Sequence, residues 1–205
     1  IHLWKNNIKV IPLNFFDGAG ELMEISLWGN HIKSLHRNTF SRLYNLQRLD
    51  LDHNRIAQLS ADHFRHLTNL DALHLGHNRL HSLFGDTFVP LKRLRVLSLD
   101  HNSINQPTKD IFSPLKKLNH LFLQHNQLAN SLWAIHLSGL QSLLTLDLSA
   151  NRISELPEGV FSLTPSLRQL RLDGNFLSKV QNSLFPPETR LLALSLLNNP
   201  LECVC

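Results

Sequence analysis

Histidine is the side chain in this chain whose number and spacing most invite chemistry: there are thirteen in 205 residues. His53, His77, His101 and His125 recur at intervals of 24, and His74 stands close to the second. Imidazole is the common metal ligand and the group that titrates near neutral pH. Such a row offers a metal site or an acid-sensitive surface, but evenly spaced ligands along a line match a tetrahedral set poorly. Carboxylates accompany the row: Asp50, Asp52 and Asp100, with Arg48, Arg95 and Arg171 around them. Asp and His side by side form no catalytic triad without a nucleophile. H-E-x-x-H, G-x-S-x-G, phosphate-loop and dinucleotide patterns are all missing from the sequence. These residues point to binding rather than catalysis, with no cofactor implied.

The elements that position them come from a repeat. Asparagine recurs at Asn6, Asn30, Asn54, Asn78, Asn102, Asn126, Asn151, Asn175 and Asn199, at intervals of 24 with one of 25. Each closes the same phrase, as in Leu46-x-x-Leu49-x-Leu51-x-x-Asn54-x-Ile56. Phenylalanine follows ten residues later at Phe16, Phe40, Phe64, Phe88, Phe112, Phe161 and Phe185; the 25-residue repeat has His136-Leu137 there. Alternation in L-x-L sends the leucines to one face of a short strand and the intervening residues to the other. One turn cannot bury its leucines alone, whereas stacked turns bury them mutually and pair their strands into a parallel sheet. The Asn amide is placed to donate to one turn's carbonyl and accept from a neighbouring N–H.

This phrase, with its late Phe, resembles the typical extracellular class of leucine-rich repeat found in Toll-like receptor, Slit-like and variable lymphocyte receptor ectodomains. The run Ile153-Ser154-Glu155-Leu156-Pro157-Glu158-Gly159-Val160-Phe161 is close in style to the lamprey variable receptors. The resemblance implies an α/β solenoid, a curved horseshoe with short parallel strands on the concave face. Its convex side is expected to be mostly irregular or 3-10, with little regular helix. Residues 1–198 form about eight to nine repeats on this reading, and 199–205 open a truncated cysteine-rich C-terminal cap. In that family Cys203 and Cys205 pair with later cysteines, which implies an oxidising, secreted or cell-surface setting. The position before the Asn is often His or Ser in this class, so the histidine row reads as ordinary repeat residues and no metal is assigned.

Binding by such proteins uses the concave face. Counting back from each Asn places Asp50, His74, Phe122 and Arg171 in one outward column, Trp4, Trp28, Asp52 and Asp100 in a second, and His53, His77, His101 and His125 in a third. Aromatics dominate interface hot spots, and mixed charge suits a polar protein epitope. The expected contact set is Trp28, Asp50, Asp52, His74, His77, Asp100, His101, Phe122, His125 and Arg171. Net charge is only +4 and no basic run exceeds Lys116-Lys117, so nucleic acid is not expected as a partner. The expected ligand is an extracellular protein or a microbial surface molecule, with dimerisation compatible and membrane contact only through an anchor outside this stretch. The competing reading is an adhesion or matrix protein working by homophilic or scaffold contacts. The irregular stretch 130–139, with Trp133, marks a change of curvature or a convex bulge.

Overall fold

The computed structural model describes residues 1–129, 137–181 and 183–202. Its regular elements are short. In chain order the strands are β1 (Glu24–Ser26), β2 (Arg48–Asp50), β3 (Ala72–His74), β4 (Ser82–Leu83), β5 (Val96–Ser98), β6 (Gln106–Pro107), β7 (His120–Phe122), β8 (Thr145–Asp147), β9 (Gln169–Arg171) and β10 (Ala193–Ser195). Eight of them form one parallel sheet in the order β1-β2-β3-β5-β7-β8-β9-β10. The register steps by one repeat each time: Leu49 pairs with Leu73, Leu73 with Leu97, and Leu121 with Leu146. The 25-residue repeat therefore keeps strand register, and its extra residue lies between Asn126 and Thr145. On the opposite side β4 and β6 pair as a two-stranded sheet. The sequence pattern did not signal that pair. Helix among the described residues is confined to one four-residue turn, α1 (Ala61–Phe64), and one 3-10 turn at Val160–Leu163.

The core is one continuous column. Leu49, Leu51, Leu73, Leu75, Leu97 and Leu99 are wholly buried, and so are their equivalents in neighbouring turns. Opposite the strands, Phe40, Phe64, Phe88, Phe112 and Phe161 fill the return segments and are also buried. Phe185 is only partly covered and stacks on Phe161 at 5.1 Å. Where the 25-residue repeat lacks the Phe, Leu137 enters the core. Truncating one of these phenylalanines removes roughly 3–5 kcal/mol, the usual cost of emptying a tight aromatic site.

The turns are joined by the asparagines as expected. Asn54 donates from Nδ2 to the carbonyl of its own Leu51 at 3.1 Å and to that of Leu27, one turn earlier, at 3.0 Å. Its Oδ1 accepts the Ile32 N–H at 3.0 Å. The pattern repeats through Asn78, Asn102, Asn126, Asn151, Asn175 and Asn199. Backbone groups that leave the strand buried are thus paired across every turn, as burial demands.

The residue before each Asn is the one that turns the chain. Lys5, His53, His77, His101, His125, Ala150 and Asn198 all have φ between 49° and 56°, and Gly29 and Gly174 complete the set at 68° and 62°. This left-handed backbone costs about 1–2 kcal/mol for residues with a Cβ, least for Gly, Asn, Asp and His. Histidine in this column is first a residue that tolerates the turn. The column consequently lies just beyond the strands, at the rim of the face on which sequence counting put it.

Replacing Asn78 by Ala is expected to cost about 1–3 kcal/mol, since it strands the buried Ile56 N–H and takes away one of the two amide donors to the Leu51 carbonyl. Asn6→Ala, which removes only exposed contacts to Leu3 and Trp4, should cost less than about 0.5 kcal/mol. Denaturant titration of both variants checks the contrast. His53→Val is expected to lose about 1–2 kcal/mol and His53→Gly to stay within about 0.5 kcal/mol of the parent, because only valine is strained at positive φ.

Candidate ligand-binding face

Strand alternation sends Asp50, His74 and Phe122 to the concave side, and Asp52, Gly76 and Asp100 follow two residues later on the same side. Backbone pairing continues that far: the Leu51 and His53 N–H groups donate to the His74 and Gly76 carbonyls. At the centre stands Gly76, and the space its missing side chain leaves is taken by the Asp100 carboxylate. A Cβ there would stand 2.7 Å from Asp100 Oδ1. Without one, Asp100 leans back across the neighbouring turn. From the other side the Gly76 N–H donates to Asp52 Oδ1 at 2.5 Å. Asp50 completes the group, accepting from the Ser26 hydroxyl at 3.2 Å and from the Asp52 N–H at 3.1 Å.

These carboxylates do not titrate alike. Burial, then the charges of Asp50 and Asp100, push Asp52 up to about 7. Burial would also raise Asp100, but hydrogen bonds from Ser98 and His101 outweigh it and hold that carboxyl below the ordinary range. Asp173, in the same column, is likewise lowered: Ser195, the Leu197 N–H and Arg171 together override its burial. His74 is pushed down by burial and by Arg48, and its Nε2 is buried without a hydrogen-bond partner. Gln124 Oε1 is in the same condition.

Along the rim the four predicted imidazoles stack. His53 and His77 lie 3.9 Å apart, His77 and His101 3.9 Å, and His101 and His125 4.1 Å, with interplanar angles of 11°, 13° and 25°. The spacing is closer than the roughly 4.8 Å between strands, so the rings tilt into contact. Trp28 caps the row edge-on against His53 at 5.2 Å, and Lys5 Nζ sits 5.1 Å from the Trp28 ring centre. Asp100 approaches the row from the floor, with Oδ2 at 2.9 Å from His101 Nδ1 and 3.9 Å from His77 Nε2.

The expected contact residues thus fall into two groups that meet at Asp100: Asp50, Asp52 and His74 on the floor, with Trp28 in the Asp52 column turned toward His53, and His77, His101 and His125 on the rim. Phe122 stands one turn on, half-buried, its ring 6.4 Å from that of His120. Trp4, 53% exposed, is the freest of the three aromatics. Arg171 does not join the central carboxylates. It bridges Asp147 at 3.4 Å and Asp173 at 3.1 Å. Arg48 pairs with Glu24 at 3.5 Å and Arg95 with Asp71 at 3.3 Å. The mixed-charge patch read from the sequence is therefore an acidic centre flanked by arginines that have partners of their own. Trp133, Cys203 and Cys205 lie outside the described residues.

One feature escaped the column count. A wide polar trough of about 820 Å³ runs along the N-terminal ends of the strands, lined by Glu21, Met23, Asn45, Gln47, Asn69, Asp71, Arg93, Arg95 and Lys117. Much of its polarity is satisfied internally, as where Arg93 donates to Asn69 at 2.7 Å. The signal was present at nine and seven residues before each Asn, positions that precede the strand.

The leucine rich repeat family profile matches residues 20–80, 68–128 and 130–177. Comparison with curated proteins gives no match. Among solved structures, TLR13 in its complex with ssRNA13 superposes with a TM-score of 0.89 at 32% identity, covering 97% of this chain and 29% of that one. Drosophila Toll in its complex with Spatzle gives 0.82 at 27% identity over 97% of this chain and 28% of that one. Internalin C2 of Listeria monocytogenes gives 0.77 at 24% identity, covering 94% of this chain and 78% of that one, a likeness of fold alone. The chain spans under a third of the length of the first two. Matched over most of its length, and built from the Leu and Asn positions that define the repeat, the chain belongs to the leucine-rich-repeat family and resembles Toll-like receptor ectodomains.

Proposed function

We propose that this chain is an extracellular ligand-recognition module that binds a protein on its concave face, taking a basic side chain of that ligand onto the carboxylates around Gly76. The carrying observation is the crowding of Asp50, Asp52 and Asp100 there, none of them in an ion pair with an arginine among the described residues, although the Arg48 charge is felt at Asp52. Like charge and burial leave Asp52 at about 7, and an incoming ammonium or guanidinium relieves that repulsion. Phe122, half-buried on the strand that pairs with Ser98, supplies the apolar anchor that hot spots need. The likeness to Toll, solved with Spatzle, supports a protein ligand. The likeness to TLR13, solved with ssRNA13, removes any general exclusion of nucleic acid by this fold. On this face the argument against a polyanion is local and rests on the three carboxylates. A secreted or cell-surface location and cap disulfides at Cys203 and Cys205 belong to the same reading, supported by the repeat class.

The test is a binding screen of the protein against extracellular proteins and microbial surface molecules, beside a Phe122→Ala, Asp50→Asn variant. A specific hit weakened at least about tenfold in the variant, with melting temperature little changed, is the expected result. A hit that ignores both substitutions puts the site elsewhere. Self-association as the only outcome favours the adhesion reading.

A pH prediction follows from Asp52. Its folded value lies above the unfolded one, so ionisation opposes folding, and this contribution to stability is lost as pH rises from about 4 through about 7. Asp52→Asn retains an acceptor for the Gly76 N–H. It should raise the melting temperature more at pH 8 than at pH 5. Affinity for a basic ligand should rise across pH 6 to 8 in the parent and flatten in this variant; calorimetric titration at several pH values checks the slope.

A further inference from the structure

We infer that Asp100, His77 and His101 form a binding site for a divalent transition-metal ion of the zinc class, at the junction of the concave floor and the histidine rim. A linear row of imidazoles is a poor ligand set, but Asp100 turns two of its members into a triangle. One donor atom from each of the three residues lies within 4.8 Å of the others. In a tetrahedral zinc site, donors at roughly 2.0–2.1 Å from the metal stand about 3.3 Å from one another. The two Asp100 distances, 2.9 and 3.9 Å, bracket that value. The carboxylate is already oriented. Ser98 donates its hydroxyl to Oδ1, leaving Oδ2 toward the rings, the kind of outer contact that fixes a ligating group. Gly76 makes room for the lean, since a Cβ there would collide with Oδ1.

The stacked rings, 13° from parallel, cannot both aim a lone pair at one ion as they stand. Each must swivel about its Cβ–Cγ bond. Both side chains are more than a third exposed, 39% for His77 and 38% for His101, so the swivel is unobstructed from solvent. Ligation therefore trades the His77–His101 stack and the His101–Asp100 hydrogen bond for three coordinate bonds. It also leaves the fourth position open to water or to a donor from a bound partner. Two imidazoles and one carboxylate suit zinc, copper, nickel or cobalt over magnesium or calcium.

The experiment is calorimetric titration of the full chain with zinc chloride at pH 7.5, with imidazole resonances followed by NMR. A single micromolar site is expected, with the largest ring shifts at His77 and His101. His77→Gln, His101→Gln and Asp100→Asn should each weaken it at least tenfold, and Gly76→Ala, by displacing the carboxylate, by a similar factor. His53→Gln, stacked on His77 but outside the triangle, should retain it. Absence of binding at millimolar zinc overturns the site. So does unchanged affinity in the His77→Gln, His101→Gln double variant, or equal loss in His53→Gln. Melting temperatures of the metal-free variants separate lost ligands from lost fold: His77→Gln, His101→Gln and His53→Gln all sit at positive φ and should drop by a similar modest amount, so a loss of zinc binding confined to the first two marks the ligands.

Discussion

An asparagine carboxamide that bonds backward to the preceding turn is the contact on which this solenoid rests. Leucines in a stack supply driving force but no register, because apolar contact is non-directional. The side chain of Asn54 is directional: three carbonyls and one N–H, on two turns, converge on it. It works only because the residue before it is left-handed, which turns the chain so that the amide points inward under the rim. Rim, floor and core inherit their spacing from this pair of positions.

That dependence explains what the sequence made legible. Leu49, Leu51, Asn54 and Phe64 could be assigned because each repeats its neighbour's environment, so periodicity alone carries their burial. Phe185 and Leu137 mark where the same reasoning frays, one at a thinner end of the core and one standing in for Phe. The site was legible as a set of columns but not as a geometry. Nothing in one repeat reveals that Gly76 clears a path for Asp100, or that Arg171 turns to Asp147 and Asp173 rather than to the central carboxylates. Those outcomes depend on which residue faces which across adjacent turns, a pairing that differs at each step. The positive φ of the histidine column was also hidden, though its mixture of Gly, His, Asn and Ala was the available sign.

One column shows how far neighbours outweigh position. Asp52, Asp100 and Asp173 occupy equivalent places two residues before the Asn, yet the first is raised and the other two are lowered. Burial pushes all three the same way. The difference is the company: Asp52 faces other carboxylates, whereas Asp100 has Ser98 and His101, and Asp173 has Ser195 and Arg171. A solenoid thus creates distinct electrostatic environments from a uniform backbone by varying two or three side chains per turn, which is how one scaffold hosts unrelated recognition chemistries.

The 25-residue repeat carries a broader lesson. Its extra residue leaves the pairing of Leu121 with Leu146 untouched, because register is set by strand and asparagine and the return segment only has to close the turn. The two sides of the molecule therefore answer to different kinds of genetic change. Length variation can accumulate on the outer side without disturbing the inner sheet, while the inner side evolves almost solely by exchanging one side chain for another. The inner surface of such a protein is written by substitution, and its outer contour by insertion and deletion.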